Sequence, residues 1–238
     1  MGPLAVGRVS AEPQRRQALG RKLVAWWSLV GVLSLLAYSS NFAQDEPAED
    51  ILYRYESAVV GFLLYAMVFG LLLAIARGLD LRETFGLRRP ESWGSAIGWC
   101  FGLLVLMFAF AAAMEPLLGG GEEQGLDPGG WQSDKAFAFI LNAIVIAVVA
   151  PVVEELMYRG LGYTLLAPLG VAGAIIVIGI AFALAHGLIR AFPVLFVIGA
   201  GLAFLRWRTG SLYPPILLHG LFNGLGLIAG VAGGWFAA

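Results

Sequence analysis

Runs of about 20 apolar residues recur along this chain, each long enough to cross the roughly 30 Å hydrocarbon core of a bilayer. No other feature constrains its fold as strongly. The first run lies at Leu23 to Tyr38, the second at about Ser57 to Ala76 and the third at roughly Gly94 to Met114. From Ala136 onward come four more: Ala136 to Leu166, Val171 to His186, Pro193 to Trp207 and Tyr213 to Val231. In lipid every backbone polar group must be satisfied internally, and runs of this length do that as helices. The expectation is therefore an all-α, polytopic transmembrane helix bundle of about seven spans. It becomes eight if Pro151, inside the long fourth run, splits that helix. A composition of 59% hydrophobic and 13% charged residues, with mean hydropathy +0.81, agrees with lipid as the solvent.

Charge is confined almost entirely to the segments between the runs and before the first. Residues 1–22 are polar and carry Arg8, Arg15, Arg16, Arg21 and Lys22; the apolar run after them reads as a retained first span rather than a cleaved signal peptide. Residues 23–135 hold three spans with polar loops, and 136–238 the remaining bundle. Arginines 77, 82, 88 and 89 come after the second run, whereas Asp45, Glu46, Glu49 and Asp50 come after the first and a Gly/Glu-rich loop after the third. This alternation predicts a cytoplasmic N-terminus, with Arg206 and Arg208 as further topology signals at a membrane face. The formal net charge of −1 gives no basis for a nucleic-acid partner; the bilayer is the expected one. The single cysteine, Cys100, lies within an apolar run without a histidine or acid beside it, and reads as packing.

Chemistry concentrates in the last hundred residues. After Asp134 the only acids are Glu154 and Glu155, and both histidines of the chain, His186 and His219, lie there too. An ionisable group inside a membrane bundle costs at least about 2–3 kcal/mol unless paired or hydrated, so its default reading is functional. Adjacent on one helix, Glu154 and Glu155 point about 100° apart and cannot share a task. Arg159 lies four residues after Glu155, the spacing for an ion pair along one helix. Glu154 is then left free as a candidate general base. The turns expected at Pro168-Leu169-Gly170, near Ile189 to Phe192 and near Thr209 to Ser211 fold the chain so that Glu154, His186, His219 and Asn223 fall at similar depth. A glutamate and a histidine there can deprotonate water; a second histidine with an asparagine amide can donate to the oxyanion of a tetrahedral intermediate. That is the chemistry of peptide hydrolysis. Phe182, one turn before His186, reads as packing that could orient the ring.

These residues form three ordered motifs: Glu154-Glu155-Leu156-Met157-Tyr158-Arg159 (EExxxR), Phe182 to His186 (FxxxH) and His219 to Asn223 (HxxxN). In that order they resemble the CPBP family of membrane peptidases, which includes the CAAX prenyl protease and bacteriocin-processing (Abi) types. The segment Phe85-Gly86-Leu87-Arg88-Arg89-Pro90 is similar to one found in bacterial members. The resemblance implies an intramembrane endopeptidase in which Glu154 and His186 activate water, His219 and Asn223 form the oxyanion site, and Glu155, Arg159 and Phe182 support them. Its substrate would be a membrane-associated protein or peptide: a sorting tail, a leader peptide or a CAAX-like C-terminus. A bacterial inner membrane is the expected setting. No cofactor is expected; the alternative is zinc held by Glu154, His186 and His219, although HExxH is lacking. The competing class is a non-catalytic membrane immunity or scaffold protein whose polar cluster joins helices.

Overall fold

The computed structural model describes residues 6–43, 50–124 and 130–233, which form helices and connecting turns. We label the helices α1 (Val6–Ala43), α2 (Tyr55–Ala76), the short α3 (Leu81–Phe85), α4 (Trp93–Leu118), α5 (136–166), α6 (Gly170–Ala185), α7 (Phe192–Thr209) and α8 (Tyr213–Val231). Six stretches are long and apolar enough to cross a membrane, and the longest, Ser133–Ala185, contains both α5 and α6. Apart from α3 and a five-residue helix at Gly120–Gln124, these are long helices, so the described residues hold the seven expected. Helix α1 begins well before its apolar portion, so much of the polar segment 1–22 is already helical.

Pro151 does not divide α5. The proline lacks an N–H and its ring crowds the preceding turn, which in a regular helix forces a kink or a break. Here the strain is absorbed by widened π-helical turns. One covers Val145–Val149 just before the proline, and a second covers Leu156–Gly162, so the two bracket the α-helical segment Ala150–Glu155. π turns inside α-helices occur disproportionately at functional sites.

The turn Ala167–Leu169 is 3₁₀, and Gly170, at φ 73°, reverses the chain into α6. Helices α6 and α7 cross closely because both are glycines where they meet: a Cβ on Gly199 would lie 3.0 Å from the Gly179 Cα. Small residues at crossings are how membrane helices gain close packing without a hydrophobic driving force. Helix α8 is drawn onto the first π turn of α5 in the same way, since a Cβ on Gly220 would stand 2.6 Å from the Ala147 carbonyl oxygen.

The two ends of the bundle are tied differently. At one, Glu123 accepts hydrogen bonds from the N–H groups of Ile189, Arg190 and Ala191 at the start of α7. Also at that end, Asp50 accepts from Lys135 and Gln132, which hold its carboxyl below the usual range. At the other end Lys22 donates to the carbonyls of Ile75 and Arg77 at the close of α2. Phe85, buried at the end of α3, rests on Gly160 in the second π turn, and Thr164 donates to the Thr84 carbonyl. The Phe85–Pro90 segment is thereby docked against α5.

Because the atom facing Gly220 is backbone, Gly220→Ala is expected to cost about 1–3 kcal/mol through overpacking. Gly226→Ala, with nothing within 4 Å, is expected to be neutral. Thermal unfolding of the two variants in detergent checks the contrast; equal melting temperatures would remove this crossing as a constraint.

Candidate active site

The turn between the two π segments presents Glu154 and Glu155 in different directions. Glu155 is fully buried, and one of its oxygens, Oε1, accepts from Arg159 Nη1 at 2.7 Å and faces His219 Nδ1 at 2.9 Å. The same-helix pair anticipated from the spacing is thus one side of a three-residue chain linking α5 to α8. The second nitrogen of the Arg159 fork, Nη2, donates to the Gly199 carbonyl on α7 at 2.8 Å, and the guanidinium carbon lies 4.5 Å from the centre of the Phe182 ring. A fully buried cation is therefore met by a carboxylate, a carbonyl and an aromatic face together.

Glu154 looks the other way. Its Oε1 accepts from the hydroxyl of Tyr65 on α2 at 2.6 Å. Its Oε2 is buried and unpartnered, 3.9 Å from His219 Nε2. At that separation the two atoms are close but not hydrogen-bonded.

The two histidines are oriented by what their Nδ1 atoms meet. His186 closes α6, and its Nδ1 lies 2.7 Å from the Phe182 carbonyl. A carbonyl only accepts, so Nδ1 carries the proton and Nε2 of the neutral ring is an acceptor. His219 Nδ1 likewise faces a carboxylate oxygen, which leaves Nε2 towards Glu154. Phe182 sits between them, its ring centre 4.5 Å from that of His186 and 5.7 Å from that of His219. The structure thus brings Glu154, Glu155, Arg159, Phe182 and His219 into direct contact, with His186 joined through Phe182; no hydrogen bond links His186 to Glu154.

Asn223 is placed on a backbone atom. Its Nδ2 donates to the Ile146 carbonyl at 3.0 Å. That carbonyl needs an outside donor for a specific reason. The Ala150 N–H, four residues on, is taken by Val145 in the π turn, and the residue five on is Pro151, which has none. The amide's other N–H is not used in this bond. The second π turn has an equivalent support: Trp26 Nε1 of α1 donates to the Met157 carbonyl at 2.9 Å, with its indole packed on Gly162.

Tyr65 and Trp26 were not among the residues that sequence reasoning selected. Each lies within an apolar run where aromatic residues ordinarily pack, and only the fold aligns their polar atoms with α5. Among the described residues, no group of three or more His, Cys, Asp or Glu side chains is arranged to hold a metal ion.

A polar cluster of this kind, at the crossing of membrane helices, defines a membrane-embedded site with the groups for acid–base chemistry. Residues 136–225 match the family model described as type II CAAX prenyl endopeptidase Rce1-like. This segment is consistent with the CPBP/CAAX protease family, whose members are proteases. No curated protein and no solved structure matched the chain in the corresponding comparisons.

If Asn223 answers the carbonyl that Pro151 leaves unpaired, Asn223→Leu is expected to cost about 1–3 kcal/mol in the wild-type background. The cost is expected to be clearly smaller with Pro151→Ala, which restores a backbone donor. A double-mutant cycle on thermal unfolding measures this coupling; strictly additive effects would uncouple the two residues.

Proposed function

We propose that this chain is an intramembrane endopeptidase that hydrolyses a peptide bond of a membrane-associated protein or peptide, with water activated by Glu154. The observation that carries this reading is the divided Glu154 carboxylate: Tyr65 fixes one oxygen, and the other is buried, unpartnered and 3.9 Å from His219 Nε2. A carboxylate held in this way is oriented to take a proton from water. His186, with Nδ1 committed to Phe182, offers Nε2 as the second acceptor for that water.

As the water attacks the scissile carbonyl, its proton passes to Glu154 and later to the leaving amine. The carbonyl oxygen gains negative charge, which needs donors in place beforehand. His219 supplies one when Nε2 is protonated, its positive charge then answered by Glu155 through Nδ1. The free N–H of Asn223 supplies the other. Arg159 and Phe182 keep Glu155 and both imidazoles in register.

Zinc held by Glu154, His186 and His219 is the alternative mechanism. Against it, the sequence lacks HExxH, and no trio of donors converges among the described residues. Segregated charge in the loops supports an N-terminus in the cytoplasm, and the Gly-rich loops and compact length suit a bacterial inner membrane. The substrate class spans sorting tails, leader peptides and CAAX-like C-termini.

The test compares peptide termini of membrane and secreted proteins in the native host carrying wild type or Glu154→Gln at matched abundance. Termini dependent on Glu154 are expected to vanish, a loss of about a hundredfold or more in processing rate. Unchanged termini wherever the protein accumulates would instead favour a non-catalytic scaffold or immunity protein. On a substrate so identified, Tyr65→Phe is expected to slow turnover about tenfold to a hundredfold with little change in KM. A chelator is expected to leave turnover intact; chelator-sensitive turnover restored by zinc would overturn the metal-free mechanism.

A further inference from the structure

The arginine-rich end of the bundle contains a charge that topology does not explain. Arg206, in the last turn of α7, is only 6% exposed, whereas an arginine serving as a topology signal extends its head group into water. Its Nε is buried without a hydrogen-bond partner, and no acidic side chain among the described residues pairs with it. The attractive neighbour it has is the Tyr163 ring, 5.5 Å away.

The surroundings are built around this guanidinium. Gly86 ends α3 at φ 65°, and any side chain there would run into the Arg206 head group. The Gly86 carbonyl accepts from Leu212 at 3.0 Å and from Arg88 at 2.9 Å, so the turn is anchored to the start of α8. Arg88 Nε donates to the Gly210 carbonyl at 2.7 Å, which holds that side chain at the end of α7. Its positive charge is close enough to act on Arg206. Two guanidiniums set around the same turn, with no acidic partner among the described residues, repel each other, and an oxyanion between them turns the arrangement favourable.

We infer that Arg206 and Arg88, set against the Gly86 turn, form a binding site for the phosphate group of an anionic membrane lipid. The phosphate is recognised by planar guanidinium forks, which suit its oxygens better than a point charge would. A lipid source is indicated by the depth of the site. Trp99 and Trp207, near Arg206 and Arg208 at this end, are 37% and 45% exposed, and Arg208 lies over the Trp99 ring at 5.8 Å. Partly exposed tryptophans mark the head-group level of a membrane. The site stands apart from Glu154 and does not depend on the peptidase reading.

The experiment measures thermal unfolding of the purified full-length chain in neutral detergent with added phosphatidylglycerol, phosphatidylcholine or inorganic phosphate. Phosphatidylglycerol is expected to raise the melting temperature by about 2–4 °C above phosphatidylcholine. That increment is expected to disappear in Arg88→Gln and in Arg206→Gln and to survive in Arg89→Gln. Without lipid, Arg206→Gln is expected to melt no lower than wild type, because it removes an uncompensated buried charge. Should Arg206→Gln not accumulate, Arg88→Gln, on an exposed residue, carries the comparison alone. An arginine-dependent rise with inorganic phosphate alone would keep the anion site but make its ligand a soluble anion. Equal stabilisation by both lipids, or an increment indifferent to Arg88 and Arg206, would overturn the site.

Discussion

Backbone hydrogen bonding in a helix that cannot be regular is the constraint on which the rest of this structure depends. Pro151 removes one donor from α5, and the π turns on either side shift the bonding pattern. In a bilayer there is no water to satisfy the carbonyls left over. The protein answers with side chains from other helices: Asn223 on the Ile146 carbonyl and Trp26 on the Met157 carbonyl. Glu154 and Glu155 sit between these two supports. Their direction is therefore set by α1 and α8 as much as by their own helix.

Electrostatics obey the same geometry. The buried charge of Glu155 is met on one side by Arg159 and on the other by His219, and Arg159 is itself spread over the Gly199 carbonyl and the Phe182 ring. Breaking one partner in such a group leaves another charge uncompensated, which is far more costly than the pair is stabilising. Glu154 is excluded from that network apart from its approach to His219, and takes a neutral donor, Tyr65, instead. Two adjacent carboxylates thus have different surroundings because a single residue step rotates the second away from the first.

Much of this was legible in the sequence. Apolar run lengths gave the number of long helices, and the four-residue spacing of Glu155 and Arg159 gave their pair. The chain reversals at Pro168 to Gly170, near Ile189 to Phe192 and around Gly210 bring α5, α6 and α8 to one level. What could not be read was bonding at the backbone. Proline inside an apolar run signals a kink or a split, and nothing local says that widened turns will absorb it. Tyr65 and Trp26 resembled packing residues because their polar atoms matter only once α2 and α1 lie against α5. Arg206 read as a surface charge for a similar reason: the glycine that makes room for it, Gly86, lies 120 residues earlier in the chain.

The Trp26 indole has a consequence for modularity. The region recognised as a family domain, residues 136–225, starts after Trp26, Tyr65 and Phe85, each of which touches α5 at or beside the polar cluster. The unit of sequence similarity and the unit of chemistry are therefore different objects. A transplant or fragment defined by the similarity alone would inherit the acids and histidines while losing the struts that aim them.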